Sequence, residues 1–308
     1  MIPLSRLGFG GAPIGNLYAE VSDSDAVGAL EAAWDAGVRY FDTAPHYGLG
    51  LSERRIGSFL ASRPRDSFVV STKVGRVLEP CSSGGDDLAN GFAVPARARR
   101  RWDFSADGVR RSLESSLDRL GLDRVDVAYV HDPDSHFEQA VSEAIPALVS
   151  LRAEGLVGAV GIGMNQWEMP ARFVRETDVD VVLLAGRYTV LEQTGASLLE
   201  LCASRGVSVV AAGVFNSGLL ARPEVGSTYD YQAAPAALVE RARRIASVCT
   251  RHGVTLPQAA VQFPFRHPAV ASVLVGVRTA AEMRANASAL SASVPDALWE
   301  DLRAEGLL

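Results

Sequence analysis

The stretch SADGVRRSLESSLDRLGLDRVDVAYVHDP, Ser105 to Pro133, holds the unit from which the rest of the chain is read. Val109, Leu113, Leu117 and Leu120 recur at helical spacing and define the apolar face of an amphipathic helix. Gly121 suits the left-handed residue that ends such a helix, and the apolar run Val125 to Val130 reads as a buried strand. The pattern returns along the chain. Phe137, Val141, Ile145, Leu148 and Leu151 precede Gly155 and a strand from Val157 to Ile162. Leu198, Leu199 and Leu201 precede Gly206 and a strand from Val207 to Ala212. Gly37 stands in the same place, whereas Gly253 joins two helices, because Pro257 to Phe263 reads as helical before the strand from Ala271 to Val275.

With Leu7 to Gly10, Val38 to Phe41, Phe68 to Lys73 and Val181 to Leu184, the strands number eight. Eight short, nearly continuous apolar strands separated by helices predict an α/β fold of the (β/α)8 TIM barrel type, a single domain over residues 1–308. The alternative is an open doubly wound sheet with a glycine-rich dinucleotide turn. Its nearest candidate, Gly8 to Gly15, has Pro13 where the third glycine belongs. Two connections break the repeat, Gly75 to Asp103 and Gly213 to Pro235, and are expected as long functional loops on the carboxyl-terminal face of the barrel.

At 308 residues, 48% hydrophobic and 21% charged, the chain can bury a large core. Its net charge of -6 argues against nucleic acid, and the arginines at 97, 99, 100 and 101 are expected to form a solvated loop. Three separated cysteines, Cys81, Cys202 and Cys249, suit a reducing cytoplasm better than a disulfide framework. Met1 to Gly11 carries no secretory pattern, and no apolar run is long enough to span a bilayer. The partner expected is a small molecule.

Twenty-nine of the thirty basic side chains are arginine. The one lysine, Lys73, ends an apolar strand, which suggests a task that needs a compact amine instead of a wide fork. Asp42, Tyr47 and His131 fall at or just beyond other strand ends, the rim where a parallel barrel carries its chemistry. A carboxylate holds an ammonium charged and oriented. That cation beside a phenol favours the phenolate and lowers its pKa from about 10, making it a usable proton donor or acceptor. A histidine opposite orients a substrate oxygen or shares the proton. Each residue also has a plainer use, as a turn cap, a loop aromatic or a polar loop pair; their coincidence on one rim favours the site. A metal would compete for His46, His131 and His136, but their spacing fits no common ligand pattern, so none is expected.

These residues carry a resemblance. Phe41-Asp42-Thr43-Ala44-Pro45-His46-Tyr47-Gly48, with Leu51-Ser52-Glu53 and Ile56-Gly57, resembles the signature of the aldo-keto reductase superfamily. Thr72-Lys73-Val74-Gly75 and Tyr129-Val130-His131-Asp132-Pro133 are similar to its next two blocks, and the likeness extends from Leu7 to about Leu290. It implies a nicotinamide-dependent oxidoreductase in which Asp42, Tyr47, Lys73 and His131 match the catalytic four. Tyr47 is then the general acid in reduction and base in oxidation, tuned by Lys73 and Asp42, with His131 orienting the carbonyl or hydroxyl.

The resemblance also implies cofactor contacts. Gly161-Ile162-Gly163-Met164-Asn165 resembles the strand end that grips the nicotinamide amide, with Asn165 retained and Met164 where serine is usual. Ala185 replaces an expected glutamine. Gly213 to Leu220 resembles the pyrophosphate loop, with Phe215, Asn216, Gly218 and Leu219 as contacts; Ala212 replaces the usual stacking aromatic, so Phe215 or Tyr188 is the substitute ring. Gly276, Arg278, Glu282 and Asn286 belong to a segment that resembles the adenosine site. A carboxylate at Glu282 repels a 2′-phosphate, which favours NAD, while Arg278 works toward NADP.

Leu183 to Thr189 and Gly163 to Trp167 most resemble the branch of sugar C1 dehydrogenases, which includes L-fucose, D-threo-aldose and L-galactose dehydrogenases, with pyridoxal 4-dehydrogenase as a cousin. The implied reaction oxidises the anomeric carbon of an aldose to a lactone. Asn16, His46, Trp167 and Arg187 are the candidate donors for a polyol. A broad aldehyde or ketone reductase and a nicotinamide-binding regulatory subunit remain the alternatives.

Overall fold

In a computed structural model, which describes residues 3–82, 84–224, 228–229 and 232–308, the unit that opens the reading forms as expected. The Ser105 hydroxyl accepts the Gly108 N–H at 3.1 Å and starts the helix Ala106–Leu120. Gly121, with φ 64°, closes it, and β4 follows as Val125–His131.

The remaining barrel strands are β1 (Leu7–Gly10), β2 (Tyr40–Asp42), β3 (Val69–Val74), β5 (Val157–Met164), β6 (Val181–Ala185), β7 (Ser208–Ala212) and β8 (Val270–Gly276). All neighbours pair in parallel, and β1 closes the ring by pairing with both β2 and β8. Each expected strand is present, and the larger shifts in their ends have visible causes. Val38 and Val207 still donate to the preceding helical turns, at Ala33 and Cys202, so β2 and β7 begin later than their apolar runs. β4 and β5 run further because His131 pairs with Gly163. Pro257 to Phe263 was expected as helical; the helix is Leu256–Gln262, started by a capping box between Thr255 and Gln258.

Side-chain alternation decides what faces the barrel axis. Tyr40, Val69, Val127, Tyr129, Val181, Leu183, Val210 and Leu274 pack together inside the barrel, while Phe41, Val70, Ala128 and Val130 belong to the larger cluster under the helices. The inner parity that carries Val69 inward also carries Ser71 and Lys73, and that of Tyr129 carries His131. Glycine makes room for the inner tyrosines: a Cβ at Gly161 would lie 2.6 Å from the Tyr129 ring.

The connection Gly75 to Asp103, of which position 83 lies outside the described residues, departs from expectation, since much of it pairs into strands. Arg76–Pro80 pairs antiparallel with Ala98–Trp102, and Asp86–Asp87 pairs with Phe92–Pro95. Of the arginine cluster, Arg99, Arg100 and Arg101 lie in a strand of this hairpin instead of a loop, and Arg97 stays exposed just before it. Arg99 and Arg101 share Glu79 on one side, and Arg100, largely buried, turns to Asp87 on the other. In the second long connection, Gly213 to Pro235, positions 225–227, 230 and 231 lie outside the described residues. Among the described residues, no helix is long and apolar enough to cross a membrane.

Candidate active site

Asp42, Lys73 and His131 project from adjacent strands β2, β3 and β4, and Tyr47 reaches over them from the loop after β2. The four line one cavity of about 320 Å³ at the carboxyl ends of the strands. Lys73 is only 2% exposed; its Nζ donates to Asp42 Oδ2 at 2.6 Å and to the Thr43 carbonyl at 2.9 Å, and it also bonds to Tyr47. Burial works against the ammonium, yet the Asp42 carboxylate and Tyr47 hydroxyl outweigh it, so Lys73 titrates above its usual value. The ammonium sits 4.8 Å from the centre of the Tyr47 ring.

Beneath this centre runs a buried polar chain that the sequence reading missed. Ser71 donates to Asp42 Oδ1 at 2.7 Å, the Tyr40 hydroxyl lies 3.0 Å from the Ser71 hydroxyl, and the Tyr129 hydroxyl lies 3.0 Å from Tyr40. Burial drives both tyrosines well above their usual pKa, so they serve as neutral dipoles. Both oxygens of Asp42 are therefore engaged, and the carboxylate is fixed in position. Alternation along β3 was the available signal, since Ser71 shares the inward parity of Lys73. The signature residues around it act as fasteners: Thr43 donates to Ser52 Oγ at 2.8 Å, and buried Glu53 accepts from Thr72 and Arg119.

His131 is buried, and its imidazole is held well below its usual pKa by burial first, then by Arg76 and Lys73. It is a neutral hydrogen-bonding group, suited to orienting an oxygen and unsuited to storing a proton. His46, one of the sequence candidates for substrate, sits beside it with ring centres 5.9 Å apart. Burial, with Arg76, Arg100 and Lys73, lowers His46 to about 2. It opens onto a second recess of about 350 Å³, lined also by Arg76, Asp87, Arg100 and Trp102.

The other sequence candidates separate into two groups. Asn165, Phe215, Gly218 and Gly276 line the catalytic cavity. The rest do not, for visible reasons. Asn16 spends its side chain on Ala93, Val21 and Arg55, and Arg187 turns to Tyr229 and Glu192. Trp167 packs against the core at the head of the helix Glu168–Glu176. Asn216 bonds inward to Gly186 and Thr189, and Leu219 is fully buried in apolar surroundings. Arg278 reaches the Leu17 carbonyl, Glu282 accepts the Arg278 N–H at 2.7 Å, and Asn286 is half-buried on the helix Ala280–Ser291. Asp132 and Arg76 were not chosen from the sequence; Asp132 lines the cavity and pairs with Arg76, which lines the second recess.

A family model described as the aldo/keto reductase family matches residues 6–304, and the chain belongs to that family of oxidoreductases. It is 49% identical to D-threo-aldose 1-dehydrogenase from a Pseudomonas species, over 98% of this chain and 94% of that protein. It is 41% identical to pyridoxal 4-dehydrogenase of Microbacterium luteolum, over 100% and 95%, and 33% identical to L-galactose dehydrogenase of Arabidopsis thaliana, over 94% and 85%. In fold it resembles the holo form of an aldo-keto reductase from Bacillus halodurans, with a TM-score of 0.79 and 23% identity over 98% of this chain and 92% of that one.

Aldo-keto reductases use a nicotinamide cofactor. The cavity fits one: Gly10, Gly163, Gly213 and Gly276 leave bare backbone along its wall, with half-buried Phe215 as an apolar side. Among the described residues, no cluster of three or more His, Cys, Asp or Glu is arranged to hold a metal ion.

Proposed function

We propose that the protein oxidises C1 of an aldopyranose, a cyclic hemiacetal, to the lactone, with NAD as the cofactor. The observation that carries the reading is the buried Asp42–Lys73 pair held against Tyr47 on the cavity floor. Tyr47 accepts the proton of the C1 hydroxyl as general base. The Lys73 ammonium stabilises the negative charge that develops at the phenolic oxygen, and Asp42, pinned by Ser71, keeps the ammonium in place. Neutral His131 hydrogen-bonds the substrate oxygen and fixes its orientation. The nicotinamide, when bound, supplies the acceptor for the hydride that leaves C1. Asn165, Phe215, Gly218 and Gly276 hold it along the groove, and Glu282 at the adenosine end favours NAD over NADP.

The choice of sugar C1 rests on the 49% identity to D-threo-aldose 1-dehydrogenase across nearly the whole of both chains. The 41% identity to pyridoxal 4-dehydrogenase supports a second reading. Pyridoxal closes on its own hydroxymethyl group to form a cyclic hemiacetal, so both readings need the same proton transfer. The test is a panel of aldopyranoses, pyridoxal and simple aldehydes, assayed in both directions with NAD and NADP. Lactone formation from a sugar, with higher kcat/KM for NAD, is expected. Turnover of simple aldehydes alone, with NADPH, would sink the proposal.

A further inference from the structure

The Asp42–Lys73–Tyr47 centre reads one hydroxyl, that of the reacting carbon; nothing in it distinguishes a sugar from any other alcohol. Asp132 supplies what is missing. It follows His131 directly and lines the same cavity, yet the proton-transfer chemistry does not use it. Its backbone has φ 43°, a left-handed conformation that L residues with side chains adopt at a cost, and its N–H is tied to the Gly163 carbonyl at 3.1 Å.

One carboxylate oxygen is occupied. Oδ2 pairs with the Arg76 guanidinium and lies 3.5 Å from His131 Nε2. Arg76 is itself buried and held over the Trp102 ring at 4.4 Å, so the carboxylate is clamped from behind. Oδ1 has no hydrogen-bond partner among the described residues, and the side chain keeps 21% of its surface open at the cavity wall. A clamped anion with one oxygen unspent, beside the residue that orients the reacting oxygen, is an acceptor for a neighbouring O–H.

We propose that Asp132 is the specificity-determining residue for the sugar, accepting a hydrogen bond from a hydroxyl close to the reacting carbon, with Arg76 as its positioning residue. The inference rests on the sugar-oxidising reading above. A charge-assisted bond of this kind favours a polyol over a monohydric alcohol, because a substrate lacking the hydroxyl leaves a clamped carboxylate unsatisfied.

The experiment compares wild type and Asp132→Asn on the preferred aldopyranose and on each of its mono-deoxy analogues. Wild type should lose roughly 10- to 100-fold in kcat/KM when one particular hydroxyl is removed. Asp132→Asn should raise the sugar KM by about the same factor and erase the penalty for that one analogue, while the other mono-deoxy analogues keep the ratios seen with wild type. Arg76→Lys keeps a cation for the carboxylate and should recover most of the discrimination, which guards against a variant that merely misfolds. Sugar oxidation with an unchanged deoxy pattern in Asp132→Asn overturns this inference alone. No sugar oxidation by wild type overturns the sugar reading and, with it, the inference.

Discussion

The proposed catalytic floor and the proposed cofactor rim are built from the same barrel ends but by different means. On the floor, side chains do the work: Asp42, Ser71 and Lys73 bond to one another through buried donors and acceptors, and Lys73 bonds on to Tyr47. On the rim, most candidate side chains face away from the cavity. Asn216 ties two loops together, Leu219 fills the core, and Arg278 and Glu282 bond to nearby backbone. What the rim offers a ligand is largely bare main chain at Gly10, Gly163, Gly213, Gly218 and Gly276. A floor made of side chains depends on atom-sized details of residue type. A rim made of backbone depends on the fold and tolerates change in the residues that support it.

Lys73→Arg is the sharpest test of that difference. The Nζ pocket is closed by Asp42, the Thr43 carbonyl and Tyr47, so a guanidinium cannot keep all three contacts. kcat should fall about 10³-fold, equivalent to roughly 4 kcal/mol, while the Kd for NAD, read by fluorescence quenching, changes by less than about 3-fold. A near-normal kcat would show that the floor needs only a positive charge.

Acid should strike the floor before the rim. Folded, His46 and His131 stay neutral well below their usual pKa because they are buried beside Arg76 and Lys73. Unfolded, they take up protons near pH 6.5. Their contribution to stability is therefore fully present above about pH 6.5 and is lost as pH falls toward the folded values. Between pH 6.5 and 5, each imidazole should lower unfolding free energy by up to about 1.4 kcal/mol per pH unit. Urea titrations at pH 7.5, 6 and 5 measure this slope. His46→Asn should flatten it, and an unchanged slope would mean that His46 protonates freely in the folded state.

The barrel and the meeting of Asp42, Tyr47, Lys73 and His131 in one cavity were legible because each depends on a short-range rule. Helical spacing and a closing glycine announce a unit such as Val109 to Gly121, and an amine surviving among arginines marks Lys73. The polar chain under Asp42 was illegible because Tyr40, Ser71 and Tyr129 meet only when three strands register. The engagement of Asn16 was hidden for the same reason: besides its neighbour Val21, its side chain meets Arg55 and Ala93 from distant parts of the chain. The hairpin in Gly75 to Asp103 was hidden by charge, since Arg100 looked solvated until Asp87 faced it. Ser71→Ala measures how far the floor extends into that hidden layer. It removes one donor from buried Asp42, so kcat should fall roughly 10-fold and stability by about 1–2 kcal/mol. A loss of stability with unaltered kcat would confine Ser71 to the fold.

Glu282 is where the rim comes nearest to behaving like the floor. It lies in the first turn of the helix Ala280–Ser291, whose N-cap Thr279 accepts the Glu282 N–H at 3.2 Å, while its own carboxylate accepts the Arg278 N–H. The carboxylate thus satisfies a local donor and also places negative charge at a helix N-terminus, the place where a phosphate would otherwise be welcome. Glu282→Gln separates the two roles, because an amide oxygen keeps the hydrogen bond and discards the charge. If the charge selects the cofactor, the ratio of kcat/KM for NAD over NADP should fall about 3- to 10-fold, with stability within about 1 kcal/mol of wild type. If the ratio holds and only the melting temperature moves, Glu282 is a helix cap and nothing more. The adenosine end would then be read by main chain and shape, as most of the rim is, and the contrast with the floor would hold there too.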